Sequence, residues 1–193
     1  MSAQPKRLIT PEEYLAIERD VEAKHEFYRG EMFAMGGASR EHNLITGNVG
    51  ASLHAQLANR PCEAYQNDMR VKVAATGLYT YPDVVITCEK PRFEDDKFDT
   101  LLNPQSIVEV LSDSTEKYDR GKKFELYRQI ESLREYVLVS QDRAHVEVFA
   151  RDGDGPWELS EATGLDAAID LPAIGGRLAL ADVYAKVSWT APA

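Results

Sequence analysis

The sequence predicts a single α/β domain built on a mixed sheet, and three observations carry that prediction. Two nearly continuous β-branched runs, Tyr81-Pro82-Asp83-Val84-Val85-Ile86 and Ser106-Ile107-Val108-Glu109-Val110-Leu111, are of the kind found in strands covered on both faces. An amphipathic stretch over residues 118–130 precedes a further apolar strand, Glu135-Tyr136-Val137-Leu138-Val139, so a strand, helix, strand unit is implied. The chain has 193 residues and no internal repeat or linker, and all of 1–193 is therefore read as one domain.

The elements follow in order. Thr10-Pro11-Glu12-Glu13 combines a capping hydroxyl, a proline at the first helical position and a glutamate three residues after the cap. It opens a helix expected to run to Glu22. Bulky apolar and polar residues alternate from His25 to Met35 around Arg29-Gly30, as in a β-hairpin. Ser39 caps a second helix, in which Ile45, Val49, Leu53 and Leu57 form an apolar stripe that ends before Pro61. In residues 68–73 the period is two, which puts Met69, Val71 and Val73 on a buried face and Asp68, Arg70 and Lys72 on a wet one. The acidic stretch 92–99 reads as an exposed loop, and the helix over 118–130 turns Phe124, Tyr127 and Ile130 inward. Residues 145–151 and 157–161 flank Asp152-Gly153-Asp154-Gly155-Pro156, a strong hairpin signal. A strand at Ala168-Ile169-Asp170-Leu171 and a short helix near Leu180 to Val187 are expected to close the sheet.

Composition removes several function classes. With 32 acidic against 22 basic residues the net charge is −10, the wrong sign for a protein that coats nucleic acid through bulk electrostatics. No apolar run approaches the roughly 20 residues of a bilayer span, and the N-terminal stretch lacks a signal-peptide core, so a cytoplasmic protein without membrane contact is expected. Cys62 and Cys88 have no CxxC partner and are read as ordinary thiols. His25, His54 and His145 have no companions at ligand spacing, and no His/Cys cluster points to zinc. There is no GxSxG nucleophile elbow and no phosphate-binding glycine loop.

The chemistry that remains is carboxylate chemistry. Asp83 and Glu109 each sit inside an apolar run, where a charge that loses its water needs a partner. A divalent metal is one solution, since two carboxylates begin the all-oxygen shell that Mg²⁺ or Mn²⁺ prefers; a neighbouring base, a backbone amide or a strand end in water is the other. Asp119, Lys123 and Tyr127 are spaced four apart on one helix face, either as a functional group beside a metal or as an ordinary solvated face. Glu26 is either a third acidic group or a hairpin glutamate in solvent, and His42, near a helix start, either meets a phosphate or serves as a surface cap.

Taken in order, Glu26-Phe27-Tyr28-Arg29-Gly30-Glu31, Ser39 to His42, Tyr81-Pro82-Asp83, Glu109-Val110-Leu111-Ser112, Ser114-Thr115, the Asp119, Lys123, Tyr127 spacing and Glu135-Tyr136 resemble the Uma2 family of bacterial restriction-endonuclease-like proteins. That family lies in the PD-(D/E)XK nuclease superfamily, and the resemblance covers most of the chain. It implies a restriction-endonuclease-like core with flanking helices and a C-terminal β-hairpin extension. Asp83 and Glu109 become metal ligands for Mg²⁺ or Mn²⁺, with Glu26 as a supporting acid. The superfamily lysine lies two positions after the second acid, and here that position is Leu111. The lysine must come from elsewhere, with Lys123 the candidate and Lys122 the fallback.

Two functions follow. The first is a metal-dependent endonuclease acting on DNA, with Lys117, Arg120, Lys122, Lys123 and Arg128 as a basic patch that Arg70 and Lys72 extend, and with a homodimer as the common working state of this fold. The second is a nuclease fold without activity, retained as a binding or regulatory module. The first requires the two acids to meet at a solvent-reachable pocket with an amine close by.

Overall fold

A computed structural model describes residues 7–189. Helix α1 (Pro11–Glu18) opens with the expected capping box: the Thr10 hydroxyl accepts from the Glu13 N–H, and the Glu13 carboxylate accepts from the Thr10 N–H at 2.9 Å. It stops at Glu18, short of Glu22, because the Asp20 N–H bonds back to Ile17 and the Glu18 side chain turns inward to accept the His25 N–H at 2.7 Å. Strands β1 (His25–Tyr28) and β2 (Glu31–Ala34) form the hairpin, and both turn residues, Arg29 and Gly30, have positive φ, as a two-residue hairpin turn demands. Helix α2 (Arg40–Leu57) is capped by Ser39.

Next come β3 (Glu63–Gln66), β4 (Arg70–Val73), β5 (Leu78–Thr80), β6 (Val84–Thr87), β7 (Thr100–Leu101) and β8 (Ser106–Val110). The helical stretch between the parallel strands β8 and β9 (Glu135–Val139) has three parts. They are α3 (Glu116–Tyr118), a π-helical segment (Asp119–Lys123) and α4 (Phe124–Tyr127). The chain ends with β10 (His145–Ala150), β11 (Glu158–Thr163), β12 (Ala168–Leu171), β13 (Gly176–Ala179) and α5 (Leu180–Val183).

The expected single mixed sheet is divided. A six-stranded sheet runs β11-β10-β9-β8-β6-β3, a five-stranded one runs β2-β1-β5-β4-β7, and β12 with β13 makes a third. The break falls at Tyr81-Pro82-Asp83, between β5 in one sheet and β6 in the other; proline has no N–H to give a ladder, so the run expected to start at Tyr81 becomes a strand only at Val84. One face of the large sheet, through Val84, Ile86, Val108, Val110, Val137 and Val139, packs on the α2 stripe of Ile45, Val49, Leu53 and Leu57. The other face, through Val85, Ile107, Tyr136 and Leu138, meets the smaller sheet and Leu126, Tyr127 and Ile130. Coverage on both faces is why β6 and β8 carry unbroken apolar runs.

Three further expectations are corrected. Arg70 is 2% exposed, since α1 and the acidic stretch cover that face of the small sheet. Its guanidinium donates to Thr100 at 2.9 Å and Tyr81 at 2.7 Å and meets Asp99 at 3.0 Å. The acidic stretch is a clamp more than a free loop: Asp95 and Asp99 hold Arg19 at 2.8 and 2.7 Å, and Glu94 holds Lys72. Cys62 and Cys88 are bonded to each other, because the Glu63–Thr87 pairing of β3 with β6 sets them opposite one another at the next step. Their separation of 26 residues gave no such signal. Among the described residues no helix is long and apolar enough to cross a membrane.

Candidate functional site

Strand pairing brings the two sequence-selected acids together. Val84 pairs with Val108 in the antiparallel β6–β8 ladder, so one step further along Asp83 stands opposite Glu109. Asp83 lies just before β6 begins, and its carboxylate takes over where the ladder ends: Oδ2 accepts the Val110 N–H at 2.7 Å. Its Oδ1 is 2.8 Å from His42 Nε2, which the first turn of α2 presents there. These two side chains are each 16% exposed and form the accessible rim.

Glu109 is on the inner side of that rim, 4% exposed. Its Oε1 lies 2.9 Å from Lys123 Nζ and accepts the Tyr127 hydroxyl at 2.8 Å. Burial raises its pKa to about 8, although the Lys123 ammonium pulls the other way. Burial works to lower the Lys123 pKa, but Glu109, Tyr127, Glu26 and Asp119 outweigh it and hold the ammonium charged above its ordinary range. The Lys123 Nζ lies 3.3 Å from Glu26 and 3.5 Å from Asp119, whose own pKa is raised by burial.

Two elements deliver this ammonium. The π-helical segment shifts the helical phase between α3 and α4, a distortion common at functional positions. With it, Asp119 and Lys123 face inward beside each other, and the Tyr136 hydroxyl donates to the Asp119 carbonyl at 3.1 Å. From the small sheet, β1 supplies Glu26, which accepts the Thr80 hydroxyl at 2.5 Å and the Tyr118 hydroxyl at 3.4 Å. The site is thus a seam between the two sheets.

Of the sequence-selected residues, Glu26, Glu109, Asp119, Lys123 and Tyr127 share contacts, and Asp83 with His42 adjoins them through Val110. Lys122 points away and pairs with Glu125 at 3.1 Å, and Leu111 is core. Thr80 and Tyr118 escaped the sequence reading, since nothing in their spacing ties them to Glu26. The basic patch is mostly engaged internally. Lys123 and Arg70 are buried, Lys72 meets Glu94, and Arg120 is held by Glu116 at 2.7 Å and by Glu147.

Comparison with known proteins agrees with this architecture. The family profile described as "Uma2: Putative restriction endonuclease" matches residues 11–181. Two proteins of Synechocystis sp., both called uncharacterized, are similar along nearly their whole lengths. Protein sll1609 is 38% identical over 164 residues, covering 85% of this chain and 93% of its own. Protein slr1290 is 35% identical over 176 residues, covering 91% of each. Among solved structures, one described as a putative nuclease belonging to DUF820 from Anabaena variabilis superimposes with a TM-score of 0.71 at 17% identity, over 91% of this chain and 97% of that one. At that identity the likeness speaks for the fold.

Proposed function

The chain belongs to the Uma2 family, and from that membership we propose that it is a metal-dependent nuclease that hydrolyses phosphodiester bonds of DNA, with Asp83 and Glu109 as the ligands of Mg²⁺ or Mn²⁺. The donor set fits a hard cation. Both ligands are oxygen donors, and the carboxyl groups of Glu26, Glu109 and Asp119 lie within 3.5 Å of the Lys123 ammonium, with Asp83 opposite Glu109 in the strand register. A divalent ion also favours the ionised form of Glu109 that burial disfavours. When bound, such an ion neutralises phosphate oxygens and acidifies a water molecule.

The chain's own groups do the positioning. Tyr127 and Lys123 fix the Glu109 carboxylate, while the Val110 N–H and His42 fix Asp83. Lys123, charged at any working pH, supplies the electrostatic stabilisation of the phosphoryl group that position 111 lacks. His42, on the accessible rim, stands against the Asp83 carboxylate with its Nε2 2.8 Å from Oδ1. The observation that carries the proposal is the strand register that sets Asp83 opposite Glu109, with an ammonium beside the pair.

Nicking of supercoiled plasmid in Mg²⁺ or Mn²⁺ tests it. The parent is expected to nick only with metal, and Asp83→Asn or Glu109→Gln to slow the reaction by about 100-fold or more. If either variant nicks at the parent rate, the ligand assignment is wrong. One observation favours the second reading, a silent binding module: Glu109 and Lys123 are closed off from solvent and already paired. That reading predicts no change of melting midpoint in millimolar Mn²⁺, whereas a metal-binding nuclease melts higher, because the ion binds only the folded chain.

A further inference from the structure

We propose a second cation site on the β10–β11 hairpin, formed by His145, Glu147 and Glu161 and suited to Zn²⁺ over Mg²⁺. It stands independently of the nuclease reading. Glu147 pairs directly with Glu161 across the hairpin, and His145, two residues before Glu147, projects from the same face. One donor atom from each of the three lies within 4.8 Å of the other two. The sequence reading found no companion for His145, because the companions come from strand register and not from helical spacing.

The imidazole is set for coordination. Its Nδ1 is held 2.8 Å from the Thr163 hydroxyl, and its other nitrogen, Nε2, lies 3.9 Å from Glu147 Oε2. That gap is too long for a hydrogen bond and within the span of two ligand bonds of about 2 Å each. A partner on the second ring nitrogen is the usual support of a metal-bound histidine. His145 and Glu147 are 12% and 13% exposed and Glu161 is exposed, so an ion can reach the site and complete its shell with water. One imidazole with two carboxylates suits a borderline ion such as Zn²⁺, whereas Mg²⁺ favours oxygen alone.

The surroundings limit the site without closing it. Arg120 Nη1 sits on the same Glu147 Oε2 that faces His145 Nε2, so an ion takes that oxygen only by displacing Arg120, which keeps Glu116 through its Nε at 2.7 Å. Glu147 pairs with Leu138, and Leu138 with Glu109, which puts the two sites on one row of the sheet, two strands or about 10 Å apart. They are separate sites on one sheet face.

The test is Zn²⁺ binding by full-length protein carrying Asp83→Asn and Glu109→Gln, followed with a competing chromophoric chelator. One Zn²⁺ per chain is expected, with loss of binding on adding His145→Ala, at least tenfold weakening on adding the exposed change Glu161→Gln, and no competition from millimolar Mg²⁺. Thr163→Val is expected to weaken binding by about 10-fold, as loss of a supporting partner does. Absence of Zn²⁺ binding, or binding that neither His145→Ala nor Glu161→Gln alters, overturns the proposal. Because the proposed nuclease ligands are already removed, neither result bears on that activity.

Discussion

Lys123→Met is expected to destabilise the fold by about 3–5 kcal/mol, measured as a lower denaturant midpoint at pH 7. The ammonium is 5% exposed and lies within 3.5 Å of carboxylates from three elements: β1, β8 and the π-helical segment. Taking it away leaves the carboxyl groups of Glu26 and Asp119 without their cation, beside a Glu109 that burial keeps largely protonated at pH 7, in a space that water scarcely enters. The cost is that of unpaired buried charge, more than of lost packing, since methionine fills most of the lysine volume. The double variant with Glu109→Gln should therefore lose less than the two single losses added together, the mark of groups in direct contact. A Lys123→Met midpoint equal to the parent's would mean that the cluster is held together by something other than this ammonium.

The second large effect is on pH dependence. Glu109 has a folded-state pKa of about 8 against an ordinary 4.5, so the folded chain binds that proton more tightly than the unfolded chain does. The resulting stability is complete below about 4.5 and is lost as pH rises through about 8. In metal-free buffer the parent should lose stability across that window, by an amount on the order of a few kcal/mol from this group. Glu109→Gln removes the proton and with it that part of the slope. Urea midpoints measured from pH 5 to pH 9 on both proteins check this, and identical slopes would contradict the burial argument. The same physics connects stability to the proposed function: the fold tolerates an acid that is poorly solvated, and a cation is the ligand that rewards its ionised form.

The sequence was most legible where local chemistry has a single answer. The capping box at Thr10, the stripe on α2 and the β8-helix-β9 unit were all readable from spacing. Asp83 and Glu109 stood out because an acid within an apolar strand needs a reason, and strand pairing set them side by side. Lys123 was readable only through the family resemblance, whose pattern its spacing to Asp119 and Tyr127 matches while Leu111 fills the usual lysine position. What stayed hidden depends on contacts between distant segments. Arg70 alternates like a surface residue, yet α1 and the 92–99 stretch cover it; Thr80 reaches Glu26 through the β1–β5 pairing, and Tyr118 reaches it from the helical stretch that follows β8. The π-helical segment has no marker in composition, and the Cys62–Cys88 bond follows from the β3–β6 register.

The most direct measurement compares metal-dependent plasmid nicking by Lys123→Met with that by Lys122→Ala, each assayed below its own melting transition. Lys122→Ala, which loses only an exposed pair with Glu125, is expected to nick like the parent, while Lys123→Met falls by about 100-fold or more. Parent-like nicking by Lys123→Met would contradict it, since the ammonium against Glu109 would then have no part in the chemistry.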